Sequence, residues 1–236
     1  MRWLIFFTLT LIGSSSFAQK FIFPKLITQT NKTASIIPKN WKVIDSAQGD
    51  LNKDNQQDLI LILEHNTAIN EDRAYGNYEI ELITETQKPR ILAVYFKDTN
   101  NKYRLALQNN DFVLRSEEGG KMGDPFKGLR VDNNKLTLSF EGGNDWRWKL
   151  NYEFEYLQKQ WNLVTANNVY YHKDSGEMVD KQYDFVDRTI KTVIGSIFKR
   201  NISNTTDEDI LVFGSPRTLN DFKKPWTWEV TKDNYL

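Results

Sequence analysis

Between Gly49 and Leu63 the chain reads GDLNKDNQQDLILIL, in which Asp50, Asn52, Asp54 and Asp58 run directly into an apolar stretch. A surface turn needs one or two such residues. Oxygen-bearing side chains at alternating positions suit a hard cation, because calcium takes six to eight oxygen ligands at about 2.3–2.6 Å and short loops supply them from every second residue. Counting from Asp50, the side chains of Asp50, Asn52 and Asp54 fall at the first, third and fifth positions. The backbone carbonyl of Gln56 falls at the seventh, and Asp58 at the ninth closes the sphere. The carboxylates compete with water for the ion, and the Asn52 amide moderates their mutual repulsion. The sixth position needs a left-handed backbone, which Asn55 tolerates better than any residue but glycine. The spacing therefore predicts calcium held by Asp50, Asn52, Asp54, Gln56 and Asp58. Magnesium, with its strict octahedron, suits such a loop poorly.

Other chemistry finds little support. The histidines, His65 and His172, lie far apart and in no metal-ligand spacing; His65 is placed as a strand-end residue. The chain has no cysteine, which excludes a thiol nucleophile, zinc–thiolate sites and disulfides. The stretches IGSIF and FGSPR lack the second glycine of a nucleophile elbow. No pair of acids is singled out for glycoside hydrolysis; Glu117 and Glu118, before GGKMGDPF, are expected as exposed loop residues. In KKPWTWEV, Trp226 and Trp228 fall on one side and are the candidate platform for stacking a sugar ring.

The elements that must position these residues have period two. In WRWKLNYEFEY, Trp146, Trp148, Leu150, Tyr152, Phe154 and Tyr156 share one face, with Arg147, Lys149, Asn151, Glu153 and Glu155 on the other. That is an antiparallel strand with one wet side. Burying an aromatic side chain contributes roughly 1.5–3 kcal/mol, so the aromatic face is expected in the core. NYEIELI, YRLALQ and KLTLSFE alternate likewise. DNNK, EGGND and LQKQ supply the turns, so residues 127–166 read as a meander of four antiparallel strands. The run LILIL is too apolar for an edge and is expected to be central and covered on both faces. Asp184 to Arg200, rich in β-branched residues, is assigned to strands rather than a helix. The fold class is mainly β, an antiparallel meander forming a sandwich, roll or barrel-like single domain with little helix. The acidic motif occurs once, which argues against a full propeller.

The first residues, MRWLIFFTLTLIGSSSFAQ, carry one charge (Arg2), an apolar stretch from Trp3 to Ile12 and small residues ahead of Ala18. This is the pattern of a cleaved signal peptide at residues 1–18; the apolar part is shorter than the roughly 20 residues a membrane span needs. No cysteine follows it to carry a lipid. A periplasmic or secreted chain is expected, with an arm at residues 19–40 leading into a β-rich domain at 41–236 and no transmembrane segment after cleavage. The chain has 31 basic and 31 acidic residues, so nothing in its net charge seeks nucleic acid. With no disulfides, an aromatic content of 13% must help to supply the core.

DLNKDNQQD resembles the calcium loop of FG-GAP or VCBS-type sequences, D-x-[DN]-x-D-G-x-x-D followed by an apolar strand. Asp50, Asn52, Asp54 and Asp58 match, and Asn55 stands where that pattern has glycine. The stretch from GGKMGDPFKGLRV to WNLV is similar to secreted bacterial β proteins that carry a single such loop. The resemblance implies location and metal rather than activity. The expected function is an exported, non-catalytic binding or structural protein stabilised by calcium, with an unknown protein or glycan partner. The alternatives are a carbohydrate-binding module and a hydrolase or inhibitor-like accessory protein.

Overall fold

The computed structural model describes residues 21–236 apart from 76–77, 199–203, 216 and 233, so the expected leader at 1–18 lies outside the described residues. The alternating segments form strands β1 (Gln29–Thr30), β2 (Trp41–Gly49), β3 (Asp58–His65), β4 (Ile69–Tyr75), β5 (Tyr78–Gln87), β6 (Arg90–Lys97), β7 (Tyr103–Asn109) and β8 (Phe126–Asp132). They continue as β9 (Lys135–Gly143), β10 (Trp146–Leu157), β11 (Gln160–His172), β12 (Glu177–Asp184), β13 (Thr189–Ser196), β14 (Thr205–Ile210), β15 (Glu229–Thr231) and β16 (Asn234–Tyr235). The expected meander is β8 to β11. Its turns use the residues that tolerate them: Asn133 and Asn134 take φ of 48° and 62° between β8 and β9. Within the segment assigned to strands, β13 is a strand and residues 185–188 turn the chain into it.

Two antiparallel sheets face each other, a smaller one in the order β1-β7-β6-β3-β2 and a larger one in the order β14-β13-β12-β11-β10-β9-β8. Neither closes into a barrel. Their inner faces share one core, with Ile60, Ile62, Leu92 and Val94 from the smaller sheet against Leu138, Phe140, Leu150, Tyr152 and Phe154 from the larger. The outer face of the smaller sheet, carrying Leu59, Leu61, Leu63, Ile91 and Tyr95, lies under Leu26, Ile36 and Trp41, with Phe21 and Phe23 packed beside them. The LILIL run is thus enclosed on both sides, and residues 21–40 supply a cover as well as an entry. At one edge the sheets meet, where the Leu129 N–H donates to Asp45 Oδ2 at 2.9 Å.

The β4–β5 hairpin departs from expectation. Leu82 is exposed, while Glu71 and Arg73 are buried. The alternation holds with the polar side inward, because distant partners neutralise it. Arg115, itself fully buried, grips the Glu71 carboxylate through Nε at 3.0 Å and Nη2 at 2.6 Å. Glu118 accepts from Arg73 at 3.2 Å and from Lys224 at 2.7 Å. Glu117 is exposed as expected, but the Glu118 side chain is enclosed by these cations rather than by water. A second buried centre joins Arg90 to Glu64 at 2.6 Å and to Asp124.

Burial alone would raise the Glu118 pKa, yet the charges of Arg73 and Lys224 bring it down to about 2 from 4.5. Ionised Glu118 therefore stabilises the fold fully above pH 4.5, and that contribution is lost as pH falls toward about 2. Glu118→Gln is expected to cost roughly 3–5 kcal/mol at neutral pH by leaving buried cations unpaired. It should also show a shallower loss of stability through that acid window than the parent, as read by urea unfolding at stepped pH. An unchanged acid slope would count against this assignment.

Candidate functional site

The acidic loop connects β2 to β3, whose ends pair as Gly49 with Asp58. Gly49 is required there because a Cβ would stand 2.3 Å from Val131 Cγ1. Asn55 has the left-handed backbone its position predicts, φ 64°, and Lys53 joins it at 65°. The side-chain oxygens turn in upon the loop. Asp50 accepts N–H groups from Asp54 at 3.1 Å and Asn55 at 2.9 Å. Asn52 Oδ1 accepts from the Asp54 N–H at 3.1 Å, and Asp54 Oδ1 from the Gln56 N–H at 2.8 Å.

Asp58 is the fully buried member. It accepts the N–H of Leu51 at 2.8 Å across the loop and that of Lys97 at 2.9 Å on β6. Burial pushes its pKa up to about 6, and the charges of Asp54 and Asp50 add to the rise while the two N–H groups oppose it. The loop is fixed to both sheets. Leu51 is buried in the shared core, the Asn134 amide donates to the Asp50 carbonyl at 2.5 Å, and Lys53 pairs with Glu155 of β10 at 2.8 Å.

Asp50, Asn52, Asp54, Gln56 and Asp58 offer oxygen donors only, the chemistry a hard divalent cation takes. Among the described residues, no group of three or more His, Cys, Asp or Glu side chains is gathered as a metal cluster. Loop N–H groups occupy the carboxylates instead. The donor set fits calcium in kind, and Asp54, at the exposed tip, also accepts from the Asn52 amide at 3.0 Å.

The expected Trp226/Trp228 platform is corrected. Trp226 follows Pro225 in a turn with φ 65°, closed by the Thr227 hydroxyl donating to the Lys224 carbonyl at 2.6 Å. That left-handed step breaks the alternation. Trp228 goes into the core, stacked on Phe185 at 5.3 Å, and offers no open face. Trp226 stands edge-on to Trp148 at 4.6 Å and, with Tyr170, Tyr183 and Tyr235, walls a cavity of about 360 Å³. The β10 aromatics need a correction too. Leu150, Tyr152 and Phe154 are buried, but Trp146 is 51% exposed, set against His172 at 5.2 Å. Trp146 is the first residue of β10 and pairs with His172, the last of β11.

His65 ends β3 as expected, its ring against Trp41 at 5.3 Å and Phe21 at 5.4 Å. No helix among the described residues is long and apolar enough to cross a membrane. No protein-family model, curated protein or solved structure matches the chain. The residues missed by sequence reasoning are Asn168, Tyr170, Lys181 and Tyr183, which line the same cavity. Their signal was a polar pair, Asn168 opposite Lys181, at inward positions of β11 and β12.

Trp228→Ala is expected to destabilise the protein by about 3–5 kcal/mol, whereas Trp146→Ala should cost under about 1 kcal/mol. Urea unfolding of the two variants checks the assignment, and equal losses would contradict it.

Proposed function

We propose that this chain is an exported, non-catalytic binding or structural protein in which the Asp50–Asp58 loop takes up calcium and clamps one end of the sandwich. One observation carries the reading: the oxygens of Asp50, Asn52, Asp54 and Asp58 turn inward on a loop that is fastened to both sheets. The side chains of Asp50, Asn52, Asp54 and Asp58 and the carbonyl of Gln56 would hold the ion. When bound, calcium supplies positive charge beside a buried carboxylate that the loop otherwise leaves short of compensation. Asp58 ties the loop to β6, Leu51 carries the same constraint into the core, and Lys53 carries it to β10. Export rests on the leader at residues 1–18. Both histidines pack against aromatic rings, His65 on Trp41 and His172 on Trp146, and the Nδ1 of His65 is taken up locally by Thr67 at 2.8 Å.

Calcium titrated into chelator-stripped protein should release or absorb heat and raise the melting temperature. An ion present at 100 times its dissociation constant adds about 2.7 kcal/mol. Magnesium should give a smaller shift, and Asp54→Ala, at an exposed position, should abolish the calcium response while the protein stays folded. No heat and no shift at millimolar calcium would refute the reading.

A further inference from the structure

We infer that the cavity walled by Trp226, Tyr170, Tyr183 and Tyr235 binds a neutral sugar ring. Across β11 and β12 the inward-facing pairs are Ala166 with Tyr183, Asn168 with Lys181 and Tyr170 with Val179. At these positions a sandwich ordinarily places apolar side chains, yet here they surround a space of about 360 Å³. That volume lies within the range of small-molecule sites.

Two buried polar atoms at its wall lack partners. The Tyr183 hydroxyl and the Asn168 Oδ1 make no hydrogen bond, although Tyr183 is only 2% and Asn168 only 4% exposed. The fully buried Tyr152 hydroxyl, in electrostatic contact with Tyr170 and Tyr183, is also unpartnered. Leaving one such group unsatisfied costs about 1–3 kcal/mol. Several together, among aromatic rings, are a poor way to stabilise a core and a good way to recognise a polar ring.

The chemistry selects the ligand class. An apolar molecule would leave the same atoms unsatisfied. A sugar carries hydroxyls that donate to Asn168 Oδ1 and accept from the Tyr183 hydroxyl. Its C–H face is suited to the electron-rich faces of Trp226 and the tyrosines. Lys181 donates to Asn234 Oδ1, and burial lowers its pKa, which weakens it as an anchor for an anion. The outer face of the larger sheet has a hollow of about 490 Å³, but polar side chains there bond one another, Ser139 to Asn151 at 2.7 Å and Asn167 to Asp180 at 2.5 Å.

This inference rests on the binding-protein reading but not on calcium. The test is tryptophan fluorescence and saturation-transfer NMR on the full exported chain, with and without calcium. The probes are glucose, galactose, mannose and N-acetylglucosamine, together with an array of neutral oligosaccharides. Binding of a monosaccharide identifies a free sugar as the source, whereas binding of oligosaccharides alone identifies a glycan end; either supports the site.

Tyr183→Phe removes one unpartnered hydroxyl and keeps the ring. It should weaken binding about tenfold with an equal or higher melting temperature, whereas a purely structural hydroxyl would show the opposite pattern. Trp226→Ala should abolish binding, and Trp146→Ala should leave it unchanged. The inference is overturned if the parent protein binds none of these sugars, or if binding survives Tyr183→Phe and Trp226→Ala undiminished. Sugar binding without any calcium response would remove only the metal loop, and the reverse result would remove only the sugar site.

Discussion

The inner face of the larger sheet is wider than the smaller sheet can cover, and apolar side chains left facing water would forfeit the burial that drives folding. The C-terminal segment supplies the missing cover. Leu219, Phe222, Trp228, Val230 and Leu236 join the shared core, and Phe185, in the turn between β12 and β13, meets Trp228. The cover is irregular because it includes only the short hairpin β15–β16 and turns sharply at Trp226. A regular sheet would fill the space over β11 and β12 with alternating side chains. A looping segment leaves a gap there, and the cavity is that gap.

Charge is buried in this molecule by two different means. Beside the β4–β5 hairpin, carboxylates meet guanidinium and ammonium groups, and Glu118, between β7 and β8, stays ionised well below its usual range. At Asp58 the only partners are backbone N–H groups, and the neighbouring acids repel, so its pKa moves the other way. Two buried carboxylates in one fold thus shift in opposite directions, and the difference is the presence of a neighbouring cation. Asp58 is the place where a divalent ion would do what Arg73 and Lys224 do for Glu118.

Much of the framework was legible because alternation and turn chemistry are local. Strands β8 to β11, the paired asparagines between β8 and β9, and the double-sided burial of LILIL each follow from neighbouring residues. Alternation assigns residues to faces without saying which face meets the core, so the β4–β5 hairpin was open to inversion. Its inward charges are neutralised by Arg115, 44 residues from Glu71, and by Glu118, 45 residues from Arg73. Neither partner is visible in a short window. The left-handed step at Trp226 escaped for a related reason: it is sustained by packing on Trp148, not by a residue type that prefers it. For the candidate sites, the loop residues and Trp226 were legible, while the tyrosines, Asn168 and Lys181 required the β11–β12 register.

The two proposed sites lie toward opposite ends of one strand. Trp148 of β10 touches Trp226 beside the cavity, and Glu155 of the same strand holds Lys53 of the loop. Seven residues of extended chain separate them by roughly 23 Å. The intervening inward side chains, Leu150, Tyr152 and Phe154, are fully buried. A close-packed row of this kind transmits global stability readily, but it has no second arrangement through which occupancy at one end would change affinity at the other. Calcium at the loop and a sugar in the cavity would therefore reinforce the same folded state as independent ligands, each by its own binding free energy.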